Sequence, residues 1–252
     1  MEKNKLLFYE AYEAFYAMAK DSAAFRAYCR DAFGADSSQD GFSDLRQIDR
    51  ILPYIPAGGD VHILDIGCGN GKMLGYLQEQ SGAFIHGFDY SARAIETAKS
   101  LFPRRSDFRE GVIGEIDYAE RFDVITSMDT LYFAPDLPAF LRQVRNWMKP
   151  EGVFFVGYQE GDVIPKSPAG EKTKLAQALT ALGMPYEETD ITKECYELLT
   201  KKREAALRHR EAFLREGQED WYRLLLLQTD CAAAPYEQFR EKMARYIYLI
   251  RK

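Results

Sequence analysis

The first residues that could do chemistry form a glycine-rich loop behind an acid. The stretch VHILDIGCGNGKM places three glycines after Asp65, which ends an apolar run. These are Gly67, Gly69 and Gly71. Glycines let a main chain approach a ligand closely because they carry no Cβ. Asp89 ends a second apolar run, where a carboxylate can accept hydrogen bonds from both hydroxyls of a ribose. The pattern predicts a cofactor that contains a nucleoside.

Two common nucleotide loops do not fit this stretch. The dinucleotide pattern G-x-G-x-x-G would put its third glycine at position 72, which is Lys72. A phosphate-binding loop needs serine or threonine after its G-K pair, whereas Met73 follows Lys72 here. The sequence has G-x-G-x-G instead, with an acid two residues before the first glycine.

LDIGCGNG resembles the first motif of the class I S-adenosylmethionine-dependent methyltransferases, and the likeness extends over residues 61–158. The resemblance implies that Asp65 organises the loop and the methionine end of the cofactor, and that the glycines pass beside it. It implies that Asp89 holds the ribose. Cys68 in the loop and Tyr90 after Asp89 belong to the predicted cofactor site. S-adenosylhomocysteine is the implied product.

One position departs from the family pattern. An acid or asparagine after a glycine at the end of the third strand often meets the adenine amine in this family, but EGVIGEI has Val112 there. Backbone groups near Val112 and Ile113 are the predicted cofactor contacts instead. Glu110 and Glu115 are alternatives in a shifted alignment, so the partner of the adenine amine stays open.

The segment SMDTLYF lies after the fourth predicted strand, where groups for the methyl acceptor are expected. The chain lacks the [N/D]-P-P-[Y/F] motif of nucleic-acid amino-group methyltransferases, and no cysteine has the neighbouring proline of the cytosine-C5 enzymes. A net charge of −6 gives no global positive field for nucleic acid. We therefore expect a small-molecule acceptor, methylated on nitrogen or oxygen. Asp129 and Tyr132 are the predicted catalytic groups, which orient the nucleophile and help to remove its proton.

Flanking segments resemble the phosphoethanolamine and related amine branch of the small-molecule methyltransferases. The aromatic N-terminal helix and the SSQDGF turn resemble the lid of that branch, and DITKECYELL resembles the step before its cap. The resemblance implies Gln39 as a further cofactor contact. Acceptor contacts are expected at Tyr9, Tyr12, Asp40 and Tyr158.

Structural roles stay open for several of these residues. An aromatic helical stripe such as Phe8, Tyr12 and Phe15 is more often packing than a cage, although tyrosines around a sulfonium or an ammonium gain cation–π energy. Asp129 is equally suited to capping the turn that follows, and Tyr132 to packing. The run KKREAALRHREAFLR contains acids among its bases, which favours a solvated helix face over a phosphate site.

Strands alternate with helices of about a dozen residues from residue 61 onward, which predicts a parallel sheet with helices on both faces. The predicted fold class is α/β, with a Rossmann-like, doubly wound, mostly parallel seven-stranded sheet. A helical lid precedes the sheet, and a helical cap is inserted before the last strand. The predicted parts are a lid at 1–50, a cofactor-binding core at 51–160, and a third part at 161–252 with its cap at 193–243.

The remaining features concern the environment of the protein. The four cysteines form no C-x-x-C pair, so we expect free thiols in a reducing cytosol and predict no metal site. Charges interrupt any signal-peptide core, and no apolar run approaches the ~20 residues of a membrane helix. We expect a cytoplasmic protein without a membrane partner, either a monomer or a homodimer. An alternative with the same loop is an S-adenosylmethionine-binding sensor or partner subunit without transfer activity.

Overall fold

The N-terminal segment folds into helices whose ends follow capping signals in the sequence. The structure is a computed structural model that describes residues 6–252, so the first five residues of the predicted lid lie outside it. The helices of this segment are α1 Tyr9–Asp21, α2 Ala23–Phe33 and α3 Leu45–Asp49. The hydroxyl of Ser22 accepts a hydrogen bond from the first turn of α2, and Gly34 ends that helix with a φ of 85°. The carboxylate of Asp44 caps α3 by accepting a hydrogen bond from the N–H of Gln47.

The middle of the chain alternates between strands and helices, as its sequence predicts. Its elements are β1 His62–Ile66, α4 Lys72–Ser81, β2 Phe84–Asp89, α5 Ala92–Leu101, β3 Ser106–Glu110, β4 Phe122–Met128, α6 Leu137–Trp147 and β5 Met148–Glu160. Every residue of β1 is buried. A strand covered on both faces takes a nearly continuous apolar sequence, and HILDI fits that rule except at His62 and Asp65.

The last part of the chain adds the cap and the final strand. Its elements are α7 Lys174–Ala181, β6 Tyr186–Asp190, α8 Thr192–Arg208, α9 Arg210–Arg215, α10 Glu219–Gln228, α11 Tyr236–Lys242 and β7 Ala244–Arg251. Helices α8 to α11 lie between β6 and β7 in the chain and form the cap. The strand predicted over the last ten residues is confirmed as β7, which is rich in aromatic and β-branched residues.

The strands form one seven-stranded sheet in the order β3-β2-β1-β4-β5-β7-β6. Strand β7 runs antiparallel to β5 and β6, and the other pairs are parallel. The predicted Rossmann-like, mostly parallel sheet is therefore confirmed. The strand order reverses between β1 and β4. In sheets of this kind, ligands bind in the crevice beyond the carboxyl ends of the strands at such a reversal.

The lid and the cap share one hydrophobic core. Phe25 and Tyr28 of α2 are fully buried in a cluster that includes Phe213 of α9. The ring centroids of Tyr28 and Phe213 lie 6.4 Å apart. Glu216, which follows α9, accepts a 2.6 Å hydrogen bond from the hydroxyl of Ser22 at the start of α2. Two segments that are distant in the chain thus pack as one layer, while the boundaries at residues 50 and 160 stay predictions.

The charged segment of the cap differs from its prediction. The run KKREAALRHREAFLR is divided at His209 between α8 and α9. His209 is half-buried, and its Nε2 lies 2.9 Å from Asp31 Oδ2. Lys202 is almost fully buried instead of lying on a solvated face, because its ammonium pairs with Asp40. Burial of a lysine requires such a partner.

Two histidines inside neighbouring strands contact each other. His62 in β1 and His86 in β2 are buried, and His62 Nδ1 lies 2.9 Å from His86 Nε2. Within residues 6–252, no helix combines the length and the apolar character needed to cross a bilayer. The same part of the chain holds no group of three or more side chains arranged to bind a metal ion.

Candidate functional site

The glycine loop follows β1 and is held tightly by its surroundings. Gly67 and Gly69 have φ values of 74° and 53°, in the left-handed region that favours glycine. A Cβ on Gly67 would collide with the side chain of Thr130, and one on Gly69 would collide with the hydroxyl of Tyr16 from α1. The loop therefore accepts only glycine at these two positions, and the lid packs directly against it.

Asp65 stands at the end of β1 beneath this loop. It is buried, and its Oδ1 accepts a 2.7 Å hydrogen bond from the hydroxyl of Thr126 on β4. Burial raises the pKa of Asp65 to about 7; the charge of Asp89 adds to this, while the bond from Thr126 opposes it. Asp65 is thus an acid that is only partly ionised at neutral pH.

Asp89 ends β2 and is also buried. Its Oδ2 accepts a 3.0 Å hydrogen bond from the N–H of Gly69, and its Oδ1 accepts a 2.8 Å bond from the N–H of Ser91. Burial raises the pKa of Asp89 to about 6, against the lowering effect of these two bonds. Each oxygen keeps a free lone pair for a further donor. The carboxylate is fixed in position and can still accept hydrogen bonds from a diol.

The SSQDGF turn of the lid is bonded to the glycine loop. The amide of Gln39 donates a 3.0 Å hydrogen bond to the carbonyl of Cys68, and the amide of Asn70 donates a 2.8 Å bond to the carbonyl of Ser38. The ammonium of Lys72 lies 2.8 Å from Ser38 Oγ and 3.0 Å from Asp36 Oδ1. The residue that breaks the dinucleotide pattern at position 72 is therefore an anchor for the lid.

On the acceptor side, Asp129 is ion-paired. It follows β4 with a φ of 64°, and its two carboxylate oxygens accept hydrogen bonds from Nη1 and Nη2 of Arg245 on β7. Arg245 is fully buried. Burial lowers the pKa of Arg245, but the charge of Asp129 more than offsets that effect and the net pKa is raised. Asp129 does not cap the turn that follows, because its bonds go to Arg245 and to the N–H of Phe42.

Tyr132 lies three residues beyond Asp129 and forms part of the same wall. Burial raises the pKa of Tyr132 well above its usual range, and the charge of Asp129 acts in the same direction. Its phenol is therefore neutral and acts as a hydrogen-bond donor or acceptor. Tyr158 lies behind it in β5, almost fully buried, with the two ring centroids 6.2 Å apart.

One cavity of about 1130 Å³ brings most of the predicted site residues together. The predicted residues that line it are Tyr12, Gln39, Asp40, Asp65, Gly67, Asp89, Tyr90, Val112, Ile113, Asp129 and Tyr132. Five predicted residues do not line it: Tyr9, Cys68, Gly69, Gly71 and Tyr158. Tyr9 packs on Tyr90 at 5.6 Å instead, and Tyr158 is covered by Tyr132, so neither reaches the space where an acceptor would lie.

A smaller hollow of about 310 Å³ lies at the end of β3, beside the large cavity. Tyr90, Glu110, Gly111, Val112, Glu115 and Ile116 form its walls. Val112 contributes to both spaces. The segment that forms its walls is the one predicted to contact the adenine, for whose amine the sequence identified no single partner.

The chain matches a family model described as a methyltransferase domain over residues 58–227. It belongs to the methyltransferase domain family. The match covers the glycine loop, Asp89, Asp129 and most of the cap, and it confirms the resemblance seen in LDIGCGNG.

Curated relatives of this methyltransferase-family chain include two proteins named ubiquinone biosynthesis O-methyltransferase. The protein of Neisseria meningitidis serogroup C (strain 053442) is 32% identical over 124 residues, which cover 45% of this chain and 52% of that protein. The protein of Rhodopseudomonas palustris (strain TIE-1) is 38% identical over 115 residues, covering 44% of this chain and 45% of that protein. The chain thus spans about half the length of the curated relatives it matches.

Solved structures show the same fold at low sequence identity. Haemonchus contortus phosphoethanolamine N-methyltransferase 2, solved with phosphomonomethylethanolamine and S-adenosylhomocysteine, has a TM-score of 0.75 and 17% identity. The superposition covers 96% of this chain and 60% of that one. A cyclopropane synthase from Mycobacterium tuberculosis has a TM-score of 0.72 and 17% identity, and covers 96% of this chain and 98% of that one.

Several residues of this methyltransferase-family site were missed in the sequence. Lys202 from α8 and Asp162 after β5 both line the cavity, and Arg245 lies directly behind Asp129. Lys202 was hidden in a run of charges. Arg245 did carry a signal: it is the arginine at the start of the apolar strand ARYIYLIR, whose other arginine, Arg251, lies at the exposed end, and a buried arginine requires an acid partner.

Proposed function

We propose that this chain is an S-adenosylmethionine-dependent methyltransferase that methylates a nitrogen or an oxygen of a small metabolite. The observation that carries the proposal is one continuous cavity that has Asp65 and Asp89 in its wall on one side and Asp129 and Tyr132 on the other. Its volume of about 1130 Å³ exceeds the roughly 300–1,000 Å³ typical of a site for one small ligand. A cofactor and an acceptor can therefore lie side by side.

The cofactor end fits a nucleoside with an attached amino acid. The free lone pairs of the buried Asp89 carboxylate suit the two ribose hydroxyls, and the glycine loop leaves room for the chain beyond the ribose. Gln39 closes this end by its bond to the carbonyl of Cys68. Val112 and Ile113 lie on the side where the adenine would be held.

The acceptor end positions a nucleophile and does little acid–base work. When bound, S-adenosylmethionine supplies a methyl group on a sulfonium that is already activated for displacement. Alignment and exclusion of water are then the main tasks of the protein. Tyr132 offers a neutral phenol to the nucleophile. Both carboxylate oxygens of Asp129 are engaged by Arg245, and we assign Asp129 a role in orienting the acceptor.

Both acceptor atoms remain within the proposal. The curated relatives are named O-methyltransferases, and the Haemonchus protein is named an N-methyltransferase. Since all four cysteines are free thiols, we further propose a reducing, cytoplasmic environment. With a net charge of −6, a small molecule suits the cavity better than nucleic acid.

Calorimetric titration with S-adenosylmethionine tests the cofactor half of the proposal. We expect a Kd near micromolar, and at least a tenfold increase in Kd for Asp89→Ala, since a buried acceptor of two hydrogen bonds is lost. Asp220→Ala is the matched control, because Asp220 is exposed on α10 and does not line the cavity. Equal affinity in the two variants would overturn the assignment of Asp89.

Transfer is tested separately with methyl-labelled cofactor and a metabolite extract. A labelled small product is expected. Tight binding of the cofactor without any labelled product would favour the sensor or partner-subunit alternative, and label in RNA would favour a nucleic-acid acceptor.

A further inference from the structure

The charged groups around the acceptor end of the cavity do not balance. Two bases of residues 6–252 line the cavity, Lys72 and Lys202, and both are already bonded to acids. Lys72 pairs with Asp36 at 3.0 Å, and Lys202 pairs with Asp40 at 2.7 Å. A substrate phosphate or carboxylate would have to displace one of these acids, so the cavity is expected to bind an anionic acceptor weakly.

Helix α8 does not supply another base that could bind an anionic acceptor. Arg203 donates to Asp230 at 2.7 Å, and Arg208 donates to Asp31 at 2.7 Å. Lys202 also donates a 3.1 Å bond to the carbonyl of Gly41, and its ammonium lies 5.5 Å from the ring centroid of Phe33. Lys202 lines the cavity, but its ammonium is already engaged by Asp40 and Gly41 of the lid.

Asp162 is a carboxylate at the cavity wall without a basic partner in the described part of the chain. It lies two residues beyond β5, lines the cavity, and has no ion pair or hydrogen bond among residues 6–252. The Asp162 side chain is exposed at the cavity. Desolvation by its neighbours raises the pKa of Asp162, and the charge of Asp40 adds to this, while Lys202 acts in the opposite direction. Asp129 contributes a further raising effect. Three acids, Asp40, Asp129 and Asp162, therefore have only two basic partners among the described residues. These are Lys202 and, behind Asp129, Arg245.

The walls next to Asp162 are aromatic. Tyr12, Tyr132 and Asp162 all line the same cavity. Tyrosine rings stabilise a cation that lies over their faces. A positive group there would meet one unpaired carboxylate and two aromatic rings.

The mouth of the cavity is apolar. Residues 6–252 contain seven large hydrophobic side chains that are exposed to solvent, and five of them line this cavity: Leu7, Phe8, Val163, Leu224 and Leu227. Leu227 is 68% exposed. Exposed apolar side chains that gather at one opening mark a binding surface rather than a random scatter. An acceptor that extends to this rim would bury its own apolar part against them.

We propose that the acceptor carries an ammonium group on an apolar body and that Asp162 binds this ammonium between Tyr12 and Tyr132. The inference rests on the proposed function, because it takes the cavity to be the acceptor site. It concerns binding of the charged group, whether or not the same nitrogen receives the methyl. Asp162 is then a specificity-determining residue, which selects cationic acceptors over neutral and anionic ones.

The experiment uses the full chain saturated with S-adenosylhomocysteine, so that no sulfonium charge is present. Calorimetric titrations compare three ligands of matched shape: 2-phenylethylamine, 2-phenylethanol and 3-phenylpropionate. We expect the amine to bind at least about tenfold more tightly than the alcohol, as a charge-assisted hydrogen bond allows, and the carboxylate to bind most weakly. In Asp162→Asn, the Kd of the amine should rise to that of the alcohol, while the Kd of the alcohol stays the same.

Asp220→Asn is the control and should keep the preference of the parent protein, since Asp220 lies outside the cavity wall. The inference is overturned if the alcohol or the carboxylate binds as well as the amine, if Asp162→Asn keeps the preference, or if the amine shows no saturable binding at about 10 mM, ten times a Kd of about 1 mM. It is also overturned if Asp162→Asn weakens S-adenosylmethionine but not S-adenosylhomocysteine, which would assign Asp162 to the sulfonium. Failure of S-adenosylhomocysteine to bind at all would instead count against the proposed function.

Discussion

Arg245 and Asp129 form a two-pronged ion pair in which Nη1 and Nη2 of the guanidinium each donate to a different carboxylate oxygen. The remaining donors of Arg245 reach Gln47 Oε1 at 3.1 Å and Ser43 Oγ at 2.8 Å. One buried side chain on β7 therefore connects the end of β4, the lid turn and α3. The pair holds Asp129 at the cavity wall in a left-handed backbone conformation.

Arg245→Met is expected to lower the free energy of unfolding by about 3–5 kcal/mol, because it leaves the Asp129 carboxylate without a partner in the interior. Urea unfolding followed by circular dichroism measures this. Arg251→Met on the same strand is the control and should cost less than about 1 kcal/mol, since its contact with Glu187 is exposed. The double variant Arg245→Met with Asp129→Asn should recover much of the loss, because asparagine removes the unpaired charge and tolerates the left-handed conformation at this position; a double variant no more stable than Arg245→Met contradicts the pairing.

Lys72→Met is expected to loosen the lid turn, since the bonds from its ammonium to Ser38 and Asp36 are lost. Amide hydrogen exchange over residues 36–40 should become faster, and the Kd for S-adenosylhomocysteine should rise by roughly threefold to tenfold. Lys99→Met, an exposed lysine in the last turn of α5, is the matched control. Unchanged exchange in the turn would show that Lys72 does not anchor it.

Asp65→Asn is expected to stabilise the fold at alkaline pH and to weaken cofactor binding. Burial raises the pKa of Asp65 from 3.8 to about 7, so between these values the folded protein binds a proton more tightly than the unfolded chain does. Stability conferred by this group therefore falls as pH rises through that window. Above pH 7 the substitution should raise the free energy of unfolding by up to about 4 kcal/mol. Urea titrations of both proteins at acidic and alkaline pH test this. A variant less stable than the parent at alkaline pH would contradict the expectation.

Binding of S-adenosylhomocysteine is expected to weaken as pH falls through about 6, the raised pKa of Asp89. The ionised carboxylate accepts the ribose hydroxyls, whereas the protonated form has lost acceptor capacity. Below that pH the Kd should rise by up to about tenfold for each pH unit. Calorimetry across this range measures the slope. In Asp89→Asn the pH dependence of the Kd that comes from Asp89 should vanish. Any pH dependence that remains is then assigned to Asp65.

Tyr132→Phe is expected to lower the rate of methyl transfer by about 10–100-fold while leaving the Kd for the cofactor unchanged, because only the phenol that orients the nucleophile is removed. Transfer of labelled methyl into a metabolite extract gives the rate. Tyr158→Phe is the matched control: it changes the same atom on a ring that lies behind Tyr132, outside the cavity wall. Equal losses in the two variants would argue that packing, not the phenol, matters.

Local signals in the sequence predicted the elements well. The acid at the end of β1, the glycine loop and the acid at the end of β2 lie where their pattern placed them, because each depends on a few neighbouring residues. The caps are equally local: Asp44 caps α3, and Gly34 ends α2. The strand ends also share one edge of the sheet, which is why Asp65, Asp89 and Asp129 meet at one cavity.

Pairings between distant segments were not predictable. Lys202 and Asp40 are 162 residues apart, and Arg245 and Asp129 are 116 apart, so no local pattern connects them. The direction of a side chain was the second gap. Tyr158 lies in a strand buried on both faces, where alternation of polar and apolar residues gives no sign of which side faces the ligand. An acceptor contact was therefore assigned to a residue that packs in the interior.

The shared core of lid and cap sets how the cavity can open. Phe25, Tyr28 and Phe213 are fully buried in one cluster, and Glu216 accepts hydrogen bonds from Ser22 and from the N–H of Ala24 at the start of α2. Movement of the N-terminal helices without the cap would break this packing. The two segments must instead travel as a single shell, so a substitution at the far end of the chain can change how quickly a ligand enters beside the glycine loop.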